Sequence, residues 1–92
     1  MMNEKLRRCS KCGRFMNEGY LLGLLYACSD ECRNAIYKTI GKAKNDEEAT
    51  IMYLKDCYML TDEDVKGLSS KQIAEKFKDY EISDDVFWTQ WY

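Results

Sequence analysis

The sequence contains no histidine and no proline. Without histidine the commonest general base and imidazole ligand are gone, so a four-ligand metal site must be built from cysteine, barring a carboxylate. Average proline usage of about 5% would supply roughly four or five prolines here, and their absence removes rigid linkers and polyproline recognition segments. No window of about 18 apolar residues exists, so no membrane-spanning helix is expected. A chain of 92 residues is one small domain, too short for a barrel or a doubly wound catalytic sheet. There is also no phosphate-cradling glycine loop and no serine or cysteine beside an evident base. The expectation is a protein that is not an enzyme.

Hydrophobic residues make up 46% and charged residues 33% of the chain, the mix of a folded domain rather than a disordered tail. The net charge of -2 conceals a strong polarity. Residues 1–44 hold nine basic and four acidic side chains, whereas residues 45–92 hold five lysines and twelve carboxylates. Two halves of opposite sign are expected to meet different surroundings. The basic start and the apolar run 20–27 before Cys28 loosely suggest an export signal, but the run is short and Arg14 and Glu18 separate it from the basic start. A cytoplasmic location is therefore expected, with cysteines reduced and close pairs serving as metal ligands rather than disulfides.

Four of the five cysteines form two pairs, Cys9-x2-Cys12 and Cys28-x3-Cys32, with 15 residues between them. A C-x2-C turn lets two thiolates converge on one ion, and a second pair at a helix start completes a tetrahedron. Gly13 suits the left-handed position that closes such a knuckle. Four thiolates leave no open coordination position, so the expected cofactor is one structural Zn2+ held by Cys9, Cys12, Cys28 and Cys32. Unligated buried cysteines and a redox Cys9-x-x-Cys12 pair are the competing readings. Between the pairs, Gly19 and Gly23 bracket an apolar stretch that reads as a short hairpin turning near Gly23. Ser29 can cap a following helix with Asp30 and Glu31 in its first turn.

Cys9, Cys12, Gly13, Tyr26, Cys28, Ser29 and Cys32 give this segment a form that resembles the TRASH, YHS and MYM-type treble-clef fingers. Ala27 stands where those fingers commonly carry an aromatic directly before the third cysteine. The resemblance implies a knuckle, a β-hairpin and a cysteine-bearing helix around zinc, and metal sensing in some relatives. The start over 9–20 and the ending with Trp88 and Trp91 also resemble small zinc proteins of phages and mobile elements of Gram-positive bacteria. That likeness implies an origin in such an element.

The remainder reads as a helical tail. Ile36 and Ile40 continue the cysteine-bearing helix towards Gly41, and Asn45 or Asp46 can cap a second helix over 47–60. Its apolar positions, Ile51, Leu54 and Tyr58 widened by Met52, Tyr53, Cys57 and Met59, suit the centre of a small bundle. Cys57 reads as a core residue. Residues 61–64 have the form of a capping box with Asp64 in place of glutamate. A further helix starts around 68–70, with Ile73, Phe77 and Tyr80 on one face, and resembles the middle helix of a helix-turn-helix unit. The segment from Ser83 would then be a recognition helix, but Asp84 and Asp85 at its start would repel a phosphate backbone. An ordinary core-facing helix is the favoured reading there.

The fold class expected is thus small α+β: a four-cysteine treble-clef finger with a basic surface over 1–44, and an acidic helical tail with an aromatic end over 45–92, packed as one unit. The first functional reading is a protein-binding module whose partner surface comprises Asp62, Glu63, Asp64, Asp84, Asp85, Trp88 and Trp91, since aromatics anchor interfaces and carboxylates steer a basic partner. With the phage likeness, this sharpens to an inhibitor or modulator of a host nucleic-acid enzyme or defence nuclease, anti-CRISPR-like, acting as a nucleic-acid mimic. The alternative is a nucleic-acid-binding regulator using Lys5, Arg7, Arg8, Lys11 and Arg14 on phosphates; a metal-responsive protein is third. No membrane partner is expected, and the sequence assigns no oligomeric state.

Overall fold

Short β-strands come first among the described residues because Gly13 and Gly23, at φ +80° and +67°, supply the left-handed backbone that the two reversals require. The computed structural model describes residues 7–90, so Lys5 and Trp91 lie outside the described residues. Strand β1 (Arg7–Arg8) pairs antiparallel with β2 (Phe15–Met16) across the first cysteine pair. Strand β3 (Glu18–Leu22) then pairs with β4 (Leu25–Ala27) through a two-residue turn headed by Gly23 at φ +67°. Glycine first with positive φ is the requirement of a type II′ hairpin turn.

Four helices follow among the described residues: α1 (Asp30–Thr39), α2 (Asp46–Tyr58), α3 (Asp62–Val65) and α4 (Ser70–Lys76). Each start is set by a short polar side chain that accepts a backbone N–H left over by the first turn. Ser29 accepts from Cys32, Asn45 from Glu48, Thr61 from Asp64 and Ser69 from Gln72. The capping box at Thr61 closes as its sequence indicates, with Asp64 returning a bond to the Thr61 N–H at 2.9 Å. Helix α1 stops at Thr39, before Gly41. On α2, Ala49, Tyr53, Leu54 and Cys57 are all buried, which makes this helix the axis of the core. Leu22, Ala27, Ile36, Val65, Ile73 and Phe77 close around it from the sheet and the other helices.

The segment after Ser83 is not a helix. Val86–Gln90 forms strand β5, which pairs antiparallel with β3 in an unbroken register from Glu18↔Gln90 to Leu22↔Val86. Valine, threonine and two aromatics in five residues suit a pleated, half-buried surface better than a helix. Ser83 looks like an N-cap in the sequence, yet its hydroxyl accepts from Asp85 N–H, two residues on, and forms a local turn instead. The sheet order is therefore β4-β3-β5, with the last described strand of 45–92 completing the hairpin of 1–44. The described chain is small α+β, four helices with antiparallel sheets. No described helix is long and apolar enough to cross a membrane.

Candidate metal centre

The first cysteine pair is shaped by its own backbone. Cys9 N–H donates to Arg14 O at 2.8 Å, and Gly13 N–H donates back to Cys9 O at 2.9 Å. Gly13 sits at φ +80°, the left-handed conformation its position requires. Arg8 clamps the loop by donating from Nε to Gly13 O at 3.1 Å. The second pair is presented by the end of β4 and the first turn of α1, where Ser29 holds Cys32 N–H. Ser10 joins the two halves: its N–H donates to Tyr26 O at 2.8 Å, and its hydroxyl accepts Tyr26 N–H at 3.0 Å.

These bonds bring Cys9, Cys12, Cys28 and Cys32 together, with all four sulfurs within 4.8 Å of one another. Cys12 and Cys28 stand 3.6 Å apart, and Cys28 and Cys32 3.7 Å. Such distances are far beyond a disulfide bond of about 2.05 Å, and all five cysteines of the chain are free thiols. A set of four convergent thiol sulfurs can hold a metal ion. Cys57 lies apart from them, buried in the core as its apolar neighbours suggest.

Comparison with family models, with curated proteins and with solved structures finds no match. No matched relative therefore supports the likeness to treble-clef fingers.

The electrostatics of the centre are uneven. Burial pushes the Cys9 thiol up, but the backbone N–H groups of Cys12, Cys28 and Lys11 aim at its sulfur and together bring it down to about 6. Those amides are partial positive charges that favour a thiolate. Burial and the neighbouring thiols raise Cys28 to about 12, and burial raises Cys32.

A polar and aromatic cluster follows directly on the last cysteine of the centre. Arg33, directly after Cys32, is only 7% exposed and lies over the rings of Tyr20 at 4.9 Å and Tyr53 at 4.6 Å. Its guanidinium donates to Asn34 Oδ1 from Nε at 3.1 Å and from a terminal nitrogen at 3.0 Å, and to Thr50 and Tyr20. Tyr20 donates in turn to Asp30, which pairs with Arg33 at 3.5 Å. Burial and that bond to Asp30 raise the Tyr20 hydroxyl to about 12, against the pull of Arg33. In the sequence Arg33 stands only as one of the basic charges of 1–44. Its position three residues before Ile36, on the apolar face of α1, is the signal that it turns inward.

The remaining expected site residues fall in different settings. Asp62 pairs with Lys55, and Asp64 is held by Thr61, which keeps its carboxyl below the usual range; Glu63 is exposed beside them. Asp84 and Asp85 form the exposed bend that leads into β5. Trp88 projects from β5 at 48% exposure, edge-on to Tyr20 at 4.9 Å. With Asp84, Ile82, Tyr53, Tyr58 and Phe87 it lines a cleft of about 390 Å3. Of the basic residues, Arg7 lies over the Tyr26 ring at 5.9 Å and Arg8 is engaged in the knuckle, whereas Lys11 and Arg14 are exposed.

Proposed function

We propose that the chain is a non-enzymatic, zinc-stabilised protein-binding module with a treble-clef centre. The thiolate set supports zinc: for Zn–S bonds of about 2.3 Å the edges of a tetrahedron are about 3.8 Å, close to the 3.6 and 3.7 Å between neighbouring sulfurs. Knuckle, hairpin and cysteine-bearing helix follow one another in treble-clef order. With four thiolates bound, the ion has no position for water or substrate, and its role is to hold β1, β2, β4 and α1 together. For a core this small, zinc binding of about 10–16 kcal/mol is folding free energy.

The observation that carries the binding role is the half-exposed Trp88 at the mouth of its cleft, flanked by Asp84 and the exposed Ile82. A large aromatic rimmed by carboxylates fits an anchor with electrostatic steering towards a basic surface. Such a surface belongs to proteins that handle nucleic acids, and the phage-like character of the sequence makes a host enzyme or defence nuclease in the cytoplasm the partner we favour. Asp62 and Asp64 contribute to the field of the acidic half rather than to contacts, because each is already engaged.

The test is a tagged pull-down from bacterial lysate, with and without nuclease, using the native chain and an Asp84→Lys/Asp85→Lys variant. A discrete protein that survives nuclease, is displaced by added nucleic acid and is lost with the variant is expected. Recovery that vanishes with nuclease while the variant still binds overturns the reading. It would instead assign function to the basic head with Lys11 and Arg14.

A further inference from the structure

The two edges of the β4-β3-β5 sheet are finished differently. The outer side of β4 is closed by Ser10, which satisfies both backbone groups of Tyr26. Strand β5 has no such cover: among the described residues, no backbone bond from Val86, Phe87, Trp88 or Thr89 runs to any element except β3. Which groups point outward follows from one bond. Gly23 N–H donates to Asp85 O at 2.7 Å and continues the register of the strand pair. Antiparallel pairs alternate between bonded and non-bonded residues, so Phe87 and Thr89 bond to β3. Val86 and Trp88 therefore direct their N–H and C=O groups away from the sheet.

Nothing in β5 protects this edge. Natural edge strands are usually blunted by lysine, proline, a bulge or a covering element. The strand is Val-Phe-Trp-Thr-Gln, it carries no charge, and its five pairs with β3 are unbroken. We propose that the edge of β5 carried by Val86 and Trp88 is a self-association surface, on which two copies of this chain pair their β5 strands antiparallel about a two-fold axis at Trp88.

The register selects itself. Centring the axis on Trp88 overlaps all five residues and makes Trp88 a bonded pair with Trp88 of the second copy, each donating N–H to the other's C=O. Val86 then lies opposite Gln90 of the second copy. Directly opposed residues share a face, so the row Tyr20–Trp88 continues into the same row of the second copy, and each exposed indole gains an aromatic neighbour. The charges agree with this arrangement. Asp84 and Asp85, before β5, run towards the end of the sheet where the second copy carries the exposed Arg14, which lines a pocket of about 200 Å3 with Trp88 and Glu18. Glu18 there is already bonded by Gln90 at 3.0 Å. The Trp88 clefts of the two copies would meet across the axis as one trough, but the pairing stands on strand geometry and does not depend on which partner enters it.

The test uses the purified, metal-loaded chain in sedimentation equilibrium and NMR amide exchange over a dilution series. Mass is expected to rise from one chain to two with concentration. The amides of Val86 and Trp88 should slow in parallel, while those of Phe87 and Thr89 are slow throughout. Val86→Pro removes one outward N–H and no bond to β3, and should weaken self-association about tenfold or more. Trp88→Lys sets two like charges at the axis and should abolish it. Retained protection of Phe87 and Thr89 shows that the variants keep the sheet. A one-chain mass at every concentration overturns the proposal, as does a dimer in which the Val86 and Trp88 amides stay fast. Because no lysate partner is involved, failure here leaves the partner-binding reading standing, and failure of the pull-down leaves this one standing.

Discussion

Replacing Gly19 with alanine tests whether the sheet and the cysteine centre are one mechanical unit. Gly19 is buried on β3 between β4 and β5, opposite Thr89, and an added Cβ would lie 2.6 Å from the Ala27 carbonyl oxygen and 3.1 Å from Met16 Sδ. The first obstacle is backbone, so no rotamer change relieves it, and β4 must move just before Cys28. Overpacking of this kind costs about 1–3 kcal/mol, and a backbone obstacle belongs at the upper end. The φ of +158° adds a backbone strain that alanine does not relieve, and the unfolded-state restriction of about 0.4–1 kcal/mol offsets only part of the total, which leaves a net loss of about 2 kcal/mol or more. Gly23→Ala is the control: nothing lies within 4 Å of its added Cβ, and only the φ of +67° is unfavourable. Left-handed alanine costs about 1–2 kcal/mol, partly offset by the same unfolded-state gain, for a net of about 0.5–1 kcal/mol. Urea denaturation of both metal-loaded variants measures the difference. Gly19→Ala should also lose metal to a chelator faster than the native chain. If Gly19→Ala is as stable as the native chain, or less damaged than Gly23→Ala, the contact with β4 does not constrain the fold and the argument is refuted.

Cys28→Ser should lower bound zinc from one equivalent to a small fraction and unfold the centre, read by metal analysis and circular dichroism; undiminished zinc would exclude the four-thiolate set. Chelation of the native protein should change Trp88 fluorescence, because Trp88 and Cys28 line the same pocket; a metal-independent spectrum would separate the two. Arg33→Lys should cost about 2 kcal/mol in thermal unfolding, since an ammonium cannot reproduce the fork to Asn34 and Thr50 between two tyrosine rings. A loss below about 0.5 kcal/mol, the scale of an ordinary surface substitution, would show that the fork is dispensable. Tyr20, raised to about 12 in the fold against an ordinary 10.0, contributes stability that is complete below the unfolded value and is lost as pH climbs from there to about 12. A tyrosinate absorbance titration should show delayed ionisation of Tyr20, and Tyr20→Phe should flatten the alkaline fall in stability.

Much of this protein was legible because local chemistry decides it. A chain without histidine, with two close cysteine pairs, has one obvious four-ligand set, and the backbone of each pair needs only Gly13 and Ser29 to assume its shape. Helix starts at Ser29, Asn45 and Thr61 were readable for the same reason, since a cap bonds within three residues. The acidic surface was less legible. Charge counts do not reveal that Asp62 is paired with Lys55 or that Asp64 closes a capping box, and they gave Arg33 to the surface although it is stacked between two tyrosines.

The amino-acid sequence by itself determined the two cysteine pairs, the hairpin turn and the capped helices, because each depends on residues adjacent along the chain, whereas the convergence of the two pairs is completed by the bonds between Ser10 and Tyr26. Only the tertiary structure decided the state of 86–90. Val-Phe-Trp-Thr-Gln after Ser83, Asp84 and Asp85 can begin a helix or extend as a strand. The choice went to the strand because the exposed edge of β3 offered backbone partners to a segment whose aromatic and β-branched side chains suit a pleat. Leu22 and Val86, paired in that sheet, are separated by most of the chain, and no local signal carries such a register. The same long-range pairing stands Trp88 beside Tyr20.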